Sequence, residues 1–170
     1  KNISTDVSNN CLYIKNNNIC NWIRSYKKSV IDVYITVPSF NYLTNNGVGT
    51  IKSLDTLVVD TFQIAMNNAG DVNLLVRSNQ IQGHLFGTGD LTLSGYSQEF
   101  ASTYYGGVGY TYCSNLRTSY TFISNSSTGD CYVNASNLLI DFIHNRGNIY
   151  YTGNPSITSS VDGSGHLIHF

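Results

Sequence analysis

Three groups of residues in this chain have the chemistry for a site: the acids Asp71 and Asp90, four histidines and four cysteines. Asp71 and Asp90 each follow a glycine and stand 19 residues apart. If a repeat brings them side by side, roughly 5 Å between carboxylates suits a calcium ion or a retaining glycosidase. The competing reading is structural, because an Asp after Gly satisfies turn amides with its side chain. The next equivalent position is Tyr110, so the acidic row stops after two and turn chemistry is favoured. The nine-residue period of calcium-binding β-rolls is absent. His84, His144, His166 and His169 share no common spacing. His166 and His169 face opposite sides of a strand, which is poor metal-ligand geometry. No catalytic residue, metal or cofactor is expected.

Cys11 and Cys20 lie in a polar N-terminal segment, Cys113 and Cys131 within strand-like runs, and no CxxC pair exists. A zinc site is therefore not expected. A Cys11–Cys20 disulfide is compatible with export. Cys113 and Cys131 fall two register positions apart, too far to bridge, and read as buried free thiols acting as small hydrophobes.

The elements that carry these residues follow from composition and period. Only 11% of the 170 residues are charged and the net charge is -1, which excludes a basic nucleic-acid binder and an acidic disordered tail. Asn, Ser and Thr make up about a third of the chain, with 15 Gly, 13 Tyr and 2 Pro. That profile favours strands joined by tight turns over helical bundles. No apolar run is long enough to span a membrane. The chain opens Lys1-Asn2-Ile3-Ser4 without a leader-like apolar stretch, as expected of a mature or trimmed form.

A G-x-G-like tripeptide recurs seven times, its last residue being Gly49, Gly70, Gly89, Gly109, Gly129, Gly147 and Gly165. The first member is Gly, Ala-preceding Asn68, Ser127 or Asn145, residue types that mostly tolerate the left-handed region or make local turn hydrogen bonds. Ser127 fits this pattern least well. Two residues after each glycine stand Ile51, Val72, Leu91, Thr111, Cys131, Ile149 and Leu167. Four after stand Ser53, Leu74, Leu93, Cys113, Val133, Tyr151 and His169, with mostly polar residues between the two columns. Alternation with period two means strands with one buried face, and a repeat this short must stack on its neighbours. The expected fold is all-β: a right-handed, parallel β-helix-like solenoid of about seven coils of about 20 residues. Six intervals at roughly 4.8 Å make the stack about 29 Å long. A meander of antiparallel hairpins explains the column chemistry less well.

Residues 1–30 read as irregular N-terminal strands capping one end of the same domain, and 31–170 as the repeat domain. Cys11-Leu12-Tyr13-Ile14 and Val30 to Pro38 are strand-like, with loops at Asn16–Asn18 and Lys27–Ser29 around Trp22. Tyr112, Tyr132 and Tyr150 share one outward column on three successive coils, and Tyr110 lies on the same face. Such a row is either a stabilising ladder or a contact surface for a glycan, a protein or another copy of the chain.

The V-P-S-F segment Val37–Phe40, the repeated G-x-G, Leu93-Ser94-Gly95 and the turn Tyr151-Thr152-Gly153-Asn154-Pro155 resemble the family described as "Putative auto-transporter adhesin, head GIN domain". The resemblance runs from about Cys11 to Phe170, and the chain is short of the family's pattern before Leu12. It implies a right-handed β-helix-like fold, export in Gram-negative bacteria and a place at the cell envelope or surface. It also implies adhesion without established catalytic residues. Three functions are compared: an exported binding or adhesion module, a structural or assembly domain without a ligand, and a pectin-degrading type of β-helix enzyme. The last needs clustered Asp, Arg or Lys on one strand face, which the columns do not show. The first is the expectation, with no enzyme activity, no nucleic acid, and an extracellular glycan, a protein or a second copy as partner.

Overall fold

The computed structural model describes residues 3–17, 31–104 and 106–170. The chain divides into two compact units, Lys1–Thr36 and Val37–Phe170.

In the first unit β1 (Ile3–Ser8) and β2 (Cys11–Asn16) pair antiparallel, with Ser8 opposite Cys11. Asn9 and Asn10 both take positive φ, 50° and 62°, which makes the two-residue turn whose twist matches paired strands. The expected strand at Cys11–Ile14 is therefore present. The expected strand from Val30 to Pro38 is not: residues 31–37 carry the alternation but join no ladder. Ile31, Val33, Ile35 and Val37 are 40–52% exposed. An alternating pattern names the face a strand would bury, but a ladder also needs a bonding neighbour, and among the described residues none pairs with this segment. Cys20, Trp22 and the Lys27–Ser29 loop lie outside the described residues, and so does the Cys11–Cys20 pairing.

The second unit is a parallel β-solenoid, and no helix occurs among the described residues. Its strands are β3 (Tyr42–Asn45), β4 (Ile51–Lys52), β5 (Leu57–Val58), β6 (Thr61–Met66), β7 (Val72–Leu85), β8 (Leu91–Tyr104), β9 (Thr111–Asn125), β10 (Cys131–Ile143), β11 (Ile149–Thr152), β12 (Ser156–Val161) and β13 (Leu167–His169). The long strands β7 to β10 run through both stretches of a coil, which the flanking coils divide between shorter strands. Each pairs in register with the next coil: Val72 with Leu91, Leu91 with Thr111, Cys131 with Ile149, Ile149 with Leu167. Three irregularities interrupt this order, all in the pairing of β9 with its neighbours: between Thr92 and Gly95 of β8, and between Tyr132 and Asn134 and between Ala135 and Leu138 of β10.

The two columns read from the glycine spacing are the interior of the first stretch. Val72, Leu91, Thr111, Cys131 and Ile149 are fully buried, and Leu74, Leu93, Cys113 and Val133 nearly so. The second stretch adds rows beginning at Phe62, Ile64 and Met66 and ending at Leu139, Asp141 and Ile143. Each large aliphatic side chain buried here contributes roughly 1.5–3 kcal/mol.

The glycines work by close approach. A Cβ on Gly70, Gly89, Gly109, Gly129, Gly147 or Gly165 would lie under 3.0 Å from the carbonyl oxygen of the glycine one coil earlier. Gly49, in the first coil, meets nothing. Left-handed backbone is not the reason for the first member either: of that column only Gly107 has positive φ. Asn68 and Asn145 instead accept the next amide with Oδ1, at 3.0 Å in both cases. Ser127, which the pattern fits least well, is held inside: its amide and hydroxyl both donate to Asn125 Oδ1, at 3.0 and 2.8 Å.

Candidate functional site

The position after each repeated glycine forms a hydrogen-bonded rail along one corner. The amide of Asp90 donates to Asp71 Oδ1 at 2.9 Å, and that of Tyr110 to Asp90 Oδ1 at 2.9 Å. Further on, Asn148 N–H reaches Asp130 Oδ1 at 2.7 Å and His166 N–H reaches Asn148 Oδ1 at 2.9 Å. The carboxylates of Asp71 and Asp90 are thus acceptors for the next coil's backbone, which is the turn chemistry favoured from the sequence. Among the described residues no group of three His, Cys, Asp or Glu side chains is placed to hold a metal ion.

The histidines stay apart. His144 Nδ1 lies 2.8 Å from Asp162 Oδ1, and His169 Nε2 lies 3.1 Å from the carbonyl of Gly153. His166 meets the rail through its amide. Cys113 and Cys131 are buried free thiols. Burial raises both, Cys131 to about 12 and Cys113 further. Tyr104 shares that interior; its Oη has no hydrogen-bond partner, and burial holds it well above its ordinary value.

Two residues beyond the rail, the outward column carries Tyr112, Tyr132 and Tyr150, directly paired across β9, β10 and β11. The glycine alignment therefore holds through the Ser127 turn. Parallel strands about 4.8 Å apart leave neighbouring rings little choice but to stack. Tyr110 and Tyr112 have centroids 5.9 Å apart and planes 7° apart; Tyr112 and Tyr132, 5.7 Å and 14°; Tyr132 and Tyr150, 4.8 Å and 8°. Phe170, which spacing from the glycines does not single out, stands perpendicular beside this stack. Its centroid is 5.9 Å from Tyr132 and 6.1 Å from Tyr150. Its amide bonds the Tyr151 carbonyl, which pins Phe170 next to the ladder.

The stack decides what this surface offers. Interior ring faces are covered by neighbouring rings, so solvent meets ring edges and hydroxyls. Tyr110 and Tyr112 remain 37% and 42% exposed, Phe170 55%. Desolvation within the stack raises the phenols of Tyr112 and Tyr132, with Asp90 and Asp130 adding in the same direction. The strip is therefore a neutral, half-polar aromatic band on a rigid backbone.

A family model described as "Putative auto-transporter adhesin, head GIN domain" matches residues 1–155. The chain belongs to this family. The match takes in the segment before Cys11 and ends before the last repeat, a different span from the one the motifs suggested. Family membership puts the chain among adhesin-like surface or exported proteins. The solenoid is similar to the crystal structure of a putative adhesin from Bacteroides fragilis NCTC 9343, with a TM-score of 0.84 and 25% identity over 99% of this chain and 76% of that one. It also shares its fold with a putative adhesin from Parabacteroides distasonis ATCC 8503, with a TM-score of 0.67 and 16% identity over 99% of this chain and 78% of that one. No curated protein matches the chain.

Proposed function

We propose that this chain is an exported, non-catalytic binding module of the cell envelope that attaches to its partner through the stacked aromatic strip. The observation that carries the reading is the continuous stack of Tyr110, Tyr112, Tyr132 and Tyr150 with Phe170 beside it. A rigid ring loses little entropy on contact, and its polar tip keeps the free surface soluble, which is why tyrosine is enriched at interfaces. Because ring edges and hydroxyls face outward, the strip suits the flat surface of a protein better than a sugar ring, which needs an open aromatic face. The family match and the Bacteroides fragilis relative, described as a putative adhesin, support the same class of function.

A structural reading rests on the same stack, since cross-strand aromatic pairs contribute roughly 0.2–1 kcal/mol each. Tyr132→Ser separates the two. The labelled domain is applied to intact epithelial cell surfaces while its stability is followed by thermal melting. The proposal expects attachment to fall at least tenfold with a stability loss of about 1 kcal/mol. Unchanged attachment with the same stability loss makes the stack scaffolding.

A further inference from the structure

Four Lys or Arg residues stand within residues 37–170, namely Lys52, Arg77, Arg117 and Arg146. Two of the four share one exposed column with an aromatic residue between them. Arg77 pairs with Tyr96 across β7 and β8, Tyr96 pairs with Arg117 across β8 and β9, and Arg117 pairs with Asn134 across β9 and β10. The β9 irregularity creates this order: Arg77 and Tyr96 each lie seven residues past the repeated glycine, Arg117 eight. Neither guanidinium has an ion-pair partner among the described residues. The two acids of the adjoining stretch are engaged by amides, Asp60 by Asn79 and Glu99 by Gln80.

Tyr96 is the wall between two grooves of about 370 Å³ each. One is lined by Asp60 and Arg77, so its charges oppose each other. The other is lined by Tyr96, Arg117, Thr118, Ser119, Asn134 and Ser136 and contains no acid. Tyr96 is 46% exposed, and no described ring stacks on it, in contrast to the ladder tyrosines. This groove therefore combines a half-exposed tyrosine ring, a guanidinium fork, the Ser119 hydroxyl and the Asn134 amide oxygen, while the Thr118 hydroxyl, the Asn134 amide nitrogen and the Ser136 hydroxyl each donate to a backbone carbonyl. An aromatic face carries negative π density that attracts C–H groups of a ring laid on it. A guanidinium binds a carboxylate through two parallel hydrogen bonds. Hydroxyl and amide groups match sugar hydroxyls.

The geometry points to a binding site for a carboxylate-bearing sugar, a uronic or sialic acid residue of a glycan, with its carboxylate on Arg117 and its ring on Tyr96. This site is independent of the tyrosine strip, and either can fail without the other.

The test is calorimetric titration of the full chain with tri-galacturonate and sialyllactose, and with their neutral counterparts, the tri-galacturonate methyl ester and lactose. Binding of at least one acidic sugar is expected, with the matching neutral compound at least tenfold weaker. Which acid binds identifies the source of the carboxylate. Rising salt is expected to weaken the interaction, because the pair is solvent-exposed. Arg117→Gln and Tyr96→Ala each lose at least tenfold in affinity, and Arg117→Lys, which keeps the charge but not the fork, also weakens binding. Arg146→Gln, an exposed cation outside this column, leaves it unchanged. The inference is overturned if neither acid binds, if the neutral counterpart binds equally well, or if folded Arg117→Gln keeps wild-type affinity.

Discussion

Raising the pH tests the buried interior directly. Cys113 and Cys131 are fully buried, and burial raises both thiols, Cys131 to about 12 and Cys113 beyond it, from an ordinary 9.0. Unfolded chains release these protons near pH 9, whereas the folded chain holds them. Above pH 9 the unfolded state therefore binds fewer protons, and stability falls as pH rises until the folded thiols themselves ionise. Each thiol costs about 1.4 kcal/mol per pH unit in that window, so at pH 10.5 the pair costs about 4 kcal/mol. Tyr104, also raised by burial, adds to the loss only above its ordinary 10.0. A domain of this size is stable by roughly 5–15 kcal/mol, so the change removes a large share of the total. Urea unfolding under reductant at pH 8.0 and 10.5 measures it. Cys113→Ala/Cys131→Ala, though less stable at pH 8.0, should lose far less between the two pH values. Equal wild-type stability at both pH values, or an unchanged loss in the double variant, would refute buried, protonated thiols.

Two further substitutions probe the stack. Leu91, fully buried between Val72 and Thr111, becomes an unpaired carboxylate in Leu91→Asp; the lost side chain alone costs about 2–5 kcal/mol. The variant is expected to be unfolded by circular dichroism at pH 7, whereas Thr92→Asp on the outward row keeps a cooperative melt. Gly109→Val drives a side chain into the Gly89 carbonyl and should lower the melting temperature by well over 10 °C; a loss of only a few degrees would contradict the close approach.

The solenoid was legible because its geometry repeats one requirement: every coil brings its backbone against the last at the same corner, where a Cβ does not fit. That requirement appears in the sequence as Gly70, Gly89, Gly109, Gly129, Gly147 and Gly165, and the alternating columns follow from it. The tyrosine row was equally visible, since Tyr112, Tyr132 and Tyr150 keep a constant offset from those glycines. Other features depend on contacts that spacing does not encode. Arg117 joins Arg77 and Tyr96 only because β9 breaks register, so a fixed offset places Leu116 in that row instead. Phe170 belongs to the strip because its amide is tied to Tyr151, outside any repeated column. Ser127 replaces a glycine without penalty because Asn125, two residues earlier, supplies its acceptor. Residues 31–37 show the limit of alternation as evidence, since a strand also needs a neighbour.

If the outward edges and hydroxyls of the stacked tyrosines make the contact with a partner surface, attachment depends on Tyr132 at the middle of the stack. The most direct measurement compares Tyr132→Phe and Tyr132→Ser for attachment to intact epithelial cells, each variant first shown to be folded. Tyr132→Phe keeps a ring between Tyr112 and Tyr150 and removes one outward hydroxyl; Tyr132→Ser opens the stack. Partial loss of attachment is expected for the first and at least tenfold loss for the second. Wild-type attachment by a folded Tyr132→Ser variant would contradict that contact.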